Sequence, residues 1–285
     1  MQTSAMRTEN TVFLDAEIAA LIPVLRENDR IADAEWRQTL SDRKLKELQF
    51  HDANRDRELA KTQEASEAYE KFYGNKKYYD GIRRTRESIA QWIIKNTPNK
   101  IFLDYACGDG MNAIAAAKAG AKLSIGIDIS PVSIENARRD AEAAGVADRC
   151  FFLQADCENT KLPNECVDLV ICSGMLHHLD LSYAFPELRR IMKTGGKLLA
   201  VEALDYNPAI KLYRMMTPAM RTEWEKAHIL SLKDLRFASR FFDVRNTKYW
   251  HLLGILTPHV PASMARVLER IDMMLEKIPL VQLMT

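Results

Sequence analysis

Between residues 100 and 202 the chain alternates short apolar segments with longer amphipathic ones, and this alternation constrains the fold more than any other feature. Short runs rich in branched and aromatic residues are typical of strands, whereas the longer segments between them have helical spacing. Strands joined through single helices form a parallel sheet with right-handed crossovers and helices on both faces. The predicted strands lie at 101–105, 123–128, 150–154, 167–172 and 196–202, and the helices near 110–119, 131–144 and 181–192.

The flanking segments set the predicted domain boundaries. Residues 1–97 are charged and helical in pattern, and we expect them to form a helical extension or lid. Residues 98–256 form the predicted sheet domain, which carries a substrate-side insertion at 203–235. The aromatic segment 237–257 offers one or two further strands, which predicts an α/β fold with a mostly parallel, seven-stranded sheet. Residues 257–285 form a helical tail.

The helical tail has apolar residues at helical spacing, which gives it one apolar face. We expect this face to dock on the domain or on a second copy of the chain, as in a homodimer. Peripheral contact with a membrane is the alternative, although acidic and basic residues are mixed along the segment and do not favour an anionic lipid surface.

Composition limits the class of partner. The chain has 40 basic and 39 acidic residues, and this balance counts against wholesale nucleic-acid binding, which usually requires a basic excess. Its five cysteines show no paired spacing, which predicts reduced thiols and no metal site. We find neither a signal peptide nor an apolar run long enough to span a membrane, and we therefore expect a cytoplasmic protein.

A glycine-rich loop follows the first predicted strand. The residues from Gly108 through Gly110 to Ala113 fit the pattern G-x-G-x-x-G/A, and Asp128 follows about 20 residues downstream of the loop. Glycines let a backbone approach its ligand closely, and a carboxylate at a strand end binds ribose hydroxyls. The pattern alone suits either a dinucleotide or S-adenosylmethionine.

Asp104, at the end of the first strand, helps to distinguish the two ligands. In a dinucleotide site the pyrophosphate lies at the helix N-terminus, where a neighbouring carboxylate would repel it. The same carboxylate suits the ammonium group of S-adenosylmethionine, whose sulfonium adds a second positive charge. Asp109 in the loop adds to the acidic character of this region. The sign of the charge therefore favours S-adenosylmethionine, with loop capping by Asp104 as the structural alternative.

Five motifs occur in order over residues 101–202, and together they resemble the class I S-adenosylmethionine-dependent methyltransferases of the small-molecule type 11 group. The first motif departs from the family pattern [D/E]-x-G-x-G-x-G at Ala106, and the fifth has Thr194 where the family has proline. The motifs are DYACGDG, GIDIS, QADCENTKLP, CVDLVICSGMLHHL and LRRIMKTGGKLLAVEAL.

The resemblance implies a Rossmann-like fold and S-adenosyl-L-methionine as cofactor. It implies that Asp128 binds the ribose hydroxyls and Asp156 the adenine amino group. It also implies that Asp104 binds the amino group of the methionine portion, beside Gly108 and Gly110. The other donor-binding residues that we predict are Ala106, Ile129, Cys157, Ser173 and Tyr79.

Three histidines are candidates for proton transfer. His177 and His178 follow the fourth strand, and His228 lies in the insertion. Histidine is the natural general base near neutral pH, and we rank His178 first, then His177, then His228. The alternative is that these side chains line the pocket without transferring a proton.

The resemblance therefore implies an enzyme that moves a methyl group to an oxygen or nitrogen of a small, partly apolar acceptor. Two alternatives stay open at this point. One is a non-catalytic subunit that binds S-adenosylmethionine, since binding is not turnover. The other, less favoured by the ordered motifs, is an NAD-dependent oxidoreductase.

Overall fold

The computed structural model describes residues 15–30, 33–57, 83–206, 208–216 and 221–278. Within these residues the strands are β1 (Ile101–Tyr105), β2 (Leu123–Asp128), β3 (Cys150–Gln154), β4 (Val167–Ser173) and β5 (Met192–Val201). All neighbouring pairs are parallel, in the order β3-β2-β1-β4-β5. The predicted α/β class and parallel sheet are confirmed.

The helices of the described residues lie before, between and after these strands. Those before the sheet are α1 (Ala16–Asp29), α2 (Asp33–Gln38), α3 (Asp42–Arg55) and α4 (Arg83–Asn96). Those between the strands are α5 (Met111–Lys118), α6 (Pro131–Ala143) and α7 (Leu181–Ile191). Those after the sheet are α8 (Pro208–Met216), α9 (Glu223–Ala227), α10 (Leu232–Ala238) and α11 (Ala262–Leu275).

The side chains of β1 alternate between the two faces of the sheet, and each face has its own core. Leu103 and Tyr105 pack into a cluster that includes Leu25 of α1 and Leu188 of α7. Phe102 faces the other side, where it packs with residues of α4 and α5. Because a strand presents alternate residues to opposite faces, a strand that is buried along its whole length requires helices on both sides, and the structure provides them.

Small residues at the start of α5 and on β2 leave room for one aromatic ring. A Cβ atom on Gly110 would lie 2.6 Å from the ring of Phe152 on β3, and a Cβ atom on Gly126 would also clash with that ring. Phe152 packs with Ala113, Ala137 and neighbouring apolar residues in a separate cluster. Packing therefore requires glycine at Gly110 in addition to its φ of 74°.

The expectation of seven strands is not met in the described residues, which contain five. The segment 237–257 forms the end of α10, irregular backbone and a 3₁₀ segment instead of strands. Its aromatic residues Phe237, Phe241 and Phe242 surround Phe185 of α7, with ring centroids 5.7–6.0 Å away. Burial of these rings against a helix replaces the strand pairing that their β-propensity predicted.

The C-terminal helix α11 is fastened to α4 by ion pairs. Arg84 contacts Glu276 just beyond α11 at 2.8 Å, and Arg83 contacts Glu269 at 3.1 Å. Apolar side chains of α11 such as Met264 and Met274 remain exposed. None of the described helices combines the length and apolar character that crossing a lipid bilayer requires. The predicted contact with a second copy or a membrane stays a prediction.

The turn that follows β1 contains a strained residue. Ala106 has a φ of 58°, in the left-handed region that alanine adopts at a cost of about 1–2 kcal/mol. Glycine adopts this conformation without steric penalty, although it loses more conformational entropy on folding. Ala106 therefore stores local strain at the start of the glycine-rich loop.

We predict that Ala106→Gly raises the free energy of unfolding by about 0.5–1 kcal/mol, because the strain that it removes exceeds the added entropy cost. Urea denaturation of the two proteins measures the difference. The matched control is Ala115→Gly, which makes the same change at a half-buried helical residue of α5 and should lower stability by about 1 kcal/mol. Equal losses of unfolding free energy in the two variants would show that Ala106 is not strained.

Candidate functional site

The glycine-rich loop lies at the carboxyl end of the parallel sheet. The sheet order reverses between β1 and β4, and open α/β sheets bind ligands in the crevice at such a reversal. Asp128, at the end of β2, accepts hydrogen bonds from the backbone N–H groups of Gly108 at 2.8 Å and Ser130 at 2.9 Å. One buried carboxylate thus joins the loop after β1 to the loop after β2.

Asp104 is held inside the fold. Its carboxylate is 2% exposed and accepts hydrogen bonds from the backbone N–H of Ala113 at 3.1 Å and the side chain of Asn112 at 3.4 Å. Burial raises the pKa of Asp104 to about 7 against the opposing effect of these hydrogen bonds, and the charge of Asp128 adds to the rise. The structure thus gives Asp104 a loop-capping contact, and its proposed role toward an ammonium group stays a prediction.

Asp156, in the loop after β3, is paired with a lysine of the N-terminal extension. The carboxylate contacts Lys44 Nζ at 2.5 Å and accepts a hydrogen bond from the backbone N–H of Glu158 at 2.9 Å. Next to it, the buried carbonyl of Cys157 accepts a hydrogen bond from the hydroxyl of Tyr105. Burial also raises the pKa of the Cys157 thiol well above its usual range, which keeps it protonated.

The remaining predicted donor-binding residues lie on the same edge. Ile129 follows Asp128 and is half-buried, and Ser173 ends β4 with an exposed side chain. Tyr79 lies outside the described residues. The structure therefore places the described members of the predicted donor set on the loops and strand ends of β1 to β4, on one edge of the sheet.

Helix α3 lies across this edge. At its N-terminal end Arg43 contacts Glu158 at 2.5 Å and donates to the backbone carbonyl of His178 at 3.0 Å. At its C-terminal end Asp52 accepts a hydrogen bond of 2.6 Å from the hydroxyl of Ser130. Leu48, between these ends, is fully buried. One helix of the N-terminal extension thus contacts the loops that follow β2, β3 and β4.

Basic residues at and just after the end of α3 contact the glycine-rich loop itself. Arg57 lies 3.1 Å from Asp109 of the loop and 2.6 Å from Asp140 of α6. A Cβ atom on Gly108 would lie 3.1 Å from the guanidinium of Arg55, which shows how closely this helix approaches the loop. The basic residues that contact Asp109 of the glycine-rich loop therefore come from the N-terminal extension.

His177 lies in the 3₁₀ turn Leu176–His178 and is held by a carboxylate at the end of β5. Its Nδ1 lies 2.8 Å from Glu202, which also accepts hydrogen bonds from the backbone N–H groups of Met175 and Leu176 at 2.8 Å each. Burial lowers the pKa of His177, but the hydrogen bond to Glu202 and the charges of Glu202 and Glu225 together outweigh burial and leave that pKa raised. Glu202 thus fixes the ring and the loop that carries it.

His178 faces the extension instead. Its Nδ1 lies 2.9 Å from the carboxylate of Glu47 on α3, and its ring centroid lies 4.3 Å from that of His177. Burial lowers the pKa of His178. Glu47 also accepts a hydrogen bond from the hydroxyl of Thr222, which precedes α9. Hydrogen bonds from His178 and Thr222, together with the nearby imidazole of His51, hold the pKa of Glu47 well below its usual range in spite of its burial.

His228 differs from the other two histidines. Its ring stacks on that of Trp224 at 3.6 Å, its Nδ1 donates to the carbonyl of Trp224, and the residue is exposed. The structure thus brings His177 and His178 together and gives His228 a partner on its own helix turn. The contribution of Glu47, His51 and Glu202 to this cluster was missed by sequence reasoning, although the i, i+4 spacing of Glu47 and His51 is a helical signal.

The predicted insertion supplies a charged wall beside His177. Glu225 of α9 lies 4.0 Å from His177 Nε2, and its carboxylate also contacts Arg214 at 3.5 Å and Arg221 at 3.4 Å. Arg214 donates a further hydrogen bond to the carbonyl of Glu225 at 2.7 Å. Part of the segment 203–235 therefore packs next to the histidine pair.

Comparisons with known proteins show which proteins the chain resembles. Residues 103–200 match the family described as methyltransferase domain. The chain is 32% identical over 151 residues to the ribosomal protein L11 methyltransferase of Pasteurella multocida, a match that covers 50% of each chain. Over 119 residues it is 38% identical to the same enzyme of Haemophilus influenzae strain PittEE, covering 41% of this chain and 39% of that one. The aligned region spans about half the length of the first of these relatives.

Solved structures share the fold. A geranyl diphosphate methyltransferase, solved in complex with GPP and sinefungin, superposes with a TM-score of 0.53 at 18% identity and covers 68% of this chain and 74% of its own. The geranyl diphosphate C-methyltransferase of Streptomyces coelicolor A3(2) gives a TM-score of 0.52 at 16% identity, with 70% and 78% covered. At this identity the likeness shows the fold alone.

We predict a pH-dependent stability difference between Asp104→Asn and the unchanged chain. A carboxyl whose pKa is about 7 when folded and near 3.8 when unfolded stabilises the folded state fully below the lower value. This stabilisation is lost as the pH rises through the pKa of the folded state. From pH 5 to pH 7 the unchanged chain should therefore lose about 2–3 kcal/mol of unfolding free energy relative to the variant.

Denaturant unfolding at several pH values measures this difference. The matched control is Asp148→Asn, whose side chain is 78% exposed and whose difference from the unchanged chain should stay constant over the same range. A constant difference for Asp104→Asn as well would show that Asp104 is already ionised in the folded chain at pH 5.

Proposed function

We propose that the chain moves a methyl group from S-adenosylmethionine to an oxygen or nitrogen of an acceptor, because residues 103–200 match the methyltransferase domain family. The observation that supports this most directly is the contact of buried Asp128 with the backbone of Gly108 at the sheet edge. It holds a glycine-rich loop and a strand-end carboxylate together, as a nucleoside ligand requires.

The chemistry of the donor set fits S-adenosylmethionine better than a dinucleotide. Three carboxylates, those of Asp104, Asp128 and Asp156, lie at the ends of β1, β2 and in the loop after β3. Carboxylates suit hydroxyl, amino and ammonium groups, and they repel a diphosphate. Asp156 already accepts a hydrogen bond from the ammonium group of Lys44, and an adenine amino group would be another N–H donor for this carboxylate. Asp104 and Asp156 therefore count against the NAD-dependent alternative, whereas Asp128 suits the ribose of either ligand.

S-adenosylmethionine, when bound, supplies a methyl group that its sulfonium has already activated. The residues of this chain therefore need to position the acceptor and exclude water, which supplies roughly 7–11 kcal/mol of the barrier reduction in well-oriented reactions. We assign water exclusion to α3, which contacts the loops after β2, β3 and β4 at this edge of the sheet. This assignment gives the predicted N-terminal extension the role of a cover over the donor crevice.

Among the three histidines, the geometry best supports His177 as the group that takes a proton from the acceptor. Glu202 orients its ring through Nδ1, which leaves Nε2 on the side of Glu225 and the insertion. His178 is engaged by Glu47, and His228 is engaged by Trp224. A positioned base contributes typically 10²–10⁴-fold, which is less than orientation supplies.

The acceptor that we propose is a small, partly apolar molecule. His177 and Glu225 are only 13% and 10% exposed, so an acceptor atom that reaches them enters a narrow, covered site. The relatives named above act, by their names, on ribosomal protein L11, and their match covers half of the chain. A single side chain of a protein is therefore the alternative acceptor that the experiment has to include.

The test of the function is methyl transfer by the purified full chain. Donor labelled in its methyl group is incubated with a panel of small oxygen and nitrogen nucleophiles and, in parallel, with ribosomal protein L11. We expect label in a small-molecule product. Label in the ribosomal protein would correct the acceptor class, and tight donor binding without any transfer would favour the non-catalytic subunit.

We predict that Asp128→Ala weakens S-adenosylmethionine binding by about tenfold or more. A hydrogen bond to a charged group contributes roughly 1.5–3 kcal/mol, and 1.4 kcal/mol corresponds to a factor of ten in affinity. Calorimetry measures the dissociation constant, and Asp148→Ala, which removes an exposed carboxylate, is the matched control with unchanged affinity.

Asp128 also holds the loop after β1, so the melting temperature of each variant is recorded together with its affinity. Asp128→Asn serves as a second variant that keeps the size of the side chain. Unchanged affinity in both folded variants would remove Asp128 from the donor site and with it the observation on which the proposed function depends most.

A further inference from the structure

A cluster of one carboxylate and two imidazoles lies between the extension and the sheet. Glu47 and His51 are one helical turn apart on α3 and therefore face the same side of the helix. His178 comes from the 3₁₀ turn after β4, more than a hundred residues later in the chain. One ligand atom of each residue lies within 4.8 Å of the ligand atoms of the other two.

The three side chains converge on a single oxygen atom. Glu47 Oε2 lies 2.9 Å from His178 Nδ1 and 3.7 Å from His51 Nε2. The two imidazole rings meet edge to face, with centroids 5.0 Å apart. Ligands of one small ion lie at similar separations from one another, because each lies about 2.0–2.2 Å from the ion.

A neighbouring hydroxyl group holds the carboxylate of the cluster in a fixed orientation. The hydroxyl of Thr222 donates to Glu47 Oε1, the other oxygen of the same carboxylate, and so fixes its orientation. Hydrogen bonds of this kind to a ligand side chain are typical of metal sites, where they orient the ligand. Glu47 is 4% exposed, and burial of a carboxylate requires compensation by charge or hydrogen bonds.

We propose that Glu47, His51 and His178 bind a divalent transition-metal ion, with Zn²⁺ or Co²⁺ as suitable probes. Two imidazoles and one carboxylate are a common ligand set for such ions, and three protein ligands leave at least one coordination position for water or another ligand. Mg²⁺ and Ca²⁺ prefer oxygen ligands and are expected to bind this set poorly.

The cluster lies where a bound ion would link two parts of the fold. It joins α3, which covers the donor crevice, to the loop that carries the histidine pair, so that the ion fastens the cover to the sheet edge. His177 is the neighbour of His178 in that loop, and the ion therefore lies on the acceptor side of the site. Binding of the ion does not require methyl transfer, and the inference stands apart from the proposed function.

Cobalt binding to the full chain tests the proposal. The purified protein is freed of metals with a chelator and titrated with Co²⁺, while the visible absorption of the protein-bound ion is followed. We expect saturation at one equivalent of Co²⁺, displacement by Zn²⁺ and no displacement by Mg²⁺. Addition of Zn²⁺ should also raise the melting temperature, because an ion that binds only the folded state stabilises it.

Variants identify the ligands. His51→Ala and Glu47→Gln should each weaken Co²⁺ binding by more than about tenfold and abolish the rise in melting temperature with Zn²⁺. His228→Ala removes an exposed histidine outside the cluster and should bind Co²⁺ as the unchanged chain does. His51 is partly exposed, so its variant keeps the test valid if substitution of buried Glu47 prevents folding.

Two results would overturn the proposal. One is the absence of saturable Co²⁺ absorption in the unchanged chain, which would leave the cluster as a hydrogen-bonded network in which Glu47 and His178 share a proton. The other is Co²⁺ binding that His51→Ala leaves unaltered. Donor affinity is measured on the same metal-free protein, and loss of the metal site with intact donor binding would leave the proposed function untouched.

Discussion

The contact between Asp128 and the backbone N–H of Gly108 is the interaction on which the rest of the site depends. Through it the end of β2 fixes the loop after β1, and the same carboxylate also caps the turn into α6 through Ser130. Neighbouring parallel strands bring their carboxyl ends together, so a single buried acid joins two loops that are distant in sequence. The shape of the crevice at this edge follows from that junction.

Helix α3 completes the edge from the other end of the chain. Its basic residues meet the acidic loops after β1 and β3, and its Glu47 meets the histidine pair after β4. The acidic and histidine-rich loops thus find opposite or complementary groups on one helix. Because the pairs made by Arg43, Lys44 and Glu47 are largely shielded from solvent, they are screened less than surface ion pairs and specify how the extension docks. The extension is therefore part of the site and not an appendage to it.

The sequence predicted the sheet well where local pattern decides, and less well where packing decides. β1, β2 and β3 match their predicted bounds because each is a short apolar run bounded by turn residues. β5 begins at Met192 rather than near 196 because Met192 pairs with Val167 across an irregularity in register, which no local pattern reveals. The same limit applies to the site: Asp128 and the glycines form a local motif, whereas Glu47 and His178 meet only through the tertiary fold.

The burial of Asp104 links the fold to the charge of its ligand. In the free chain its pKa is about 7, since burial and the neighbouring Asp128 both disfavour a second negative charge at this edge. A cation bound beside the two carboxylates would offset both effects and favour the ionised form of Asp104. A diphosphate would do the opposite and hold the proton on the acid. The raised pKa of the residue that caps α5 therefore supports the prediction that the crevice favours a cationic ligand.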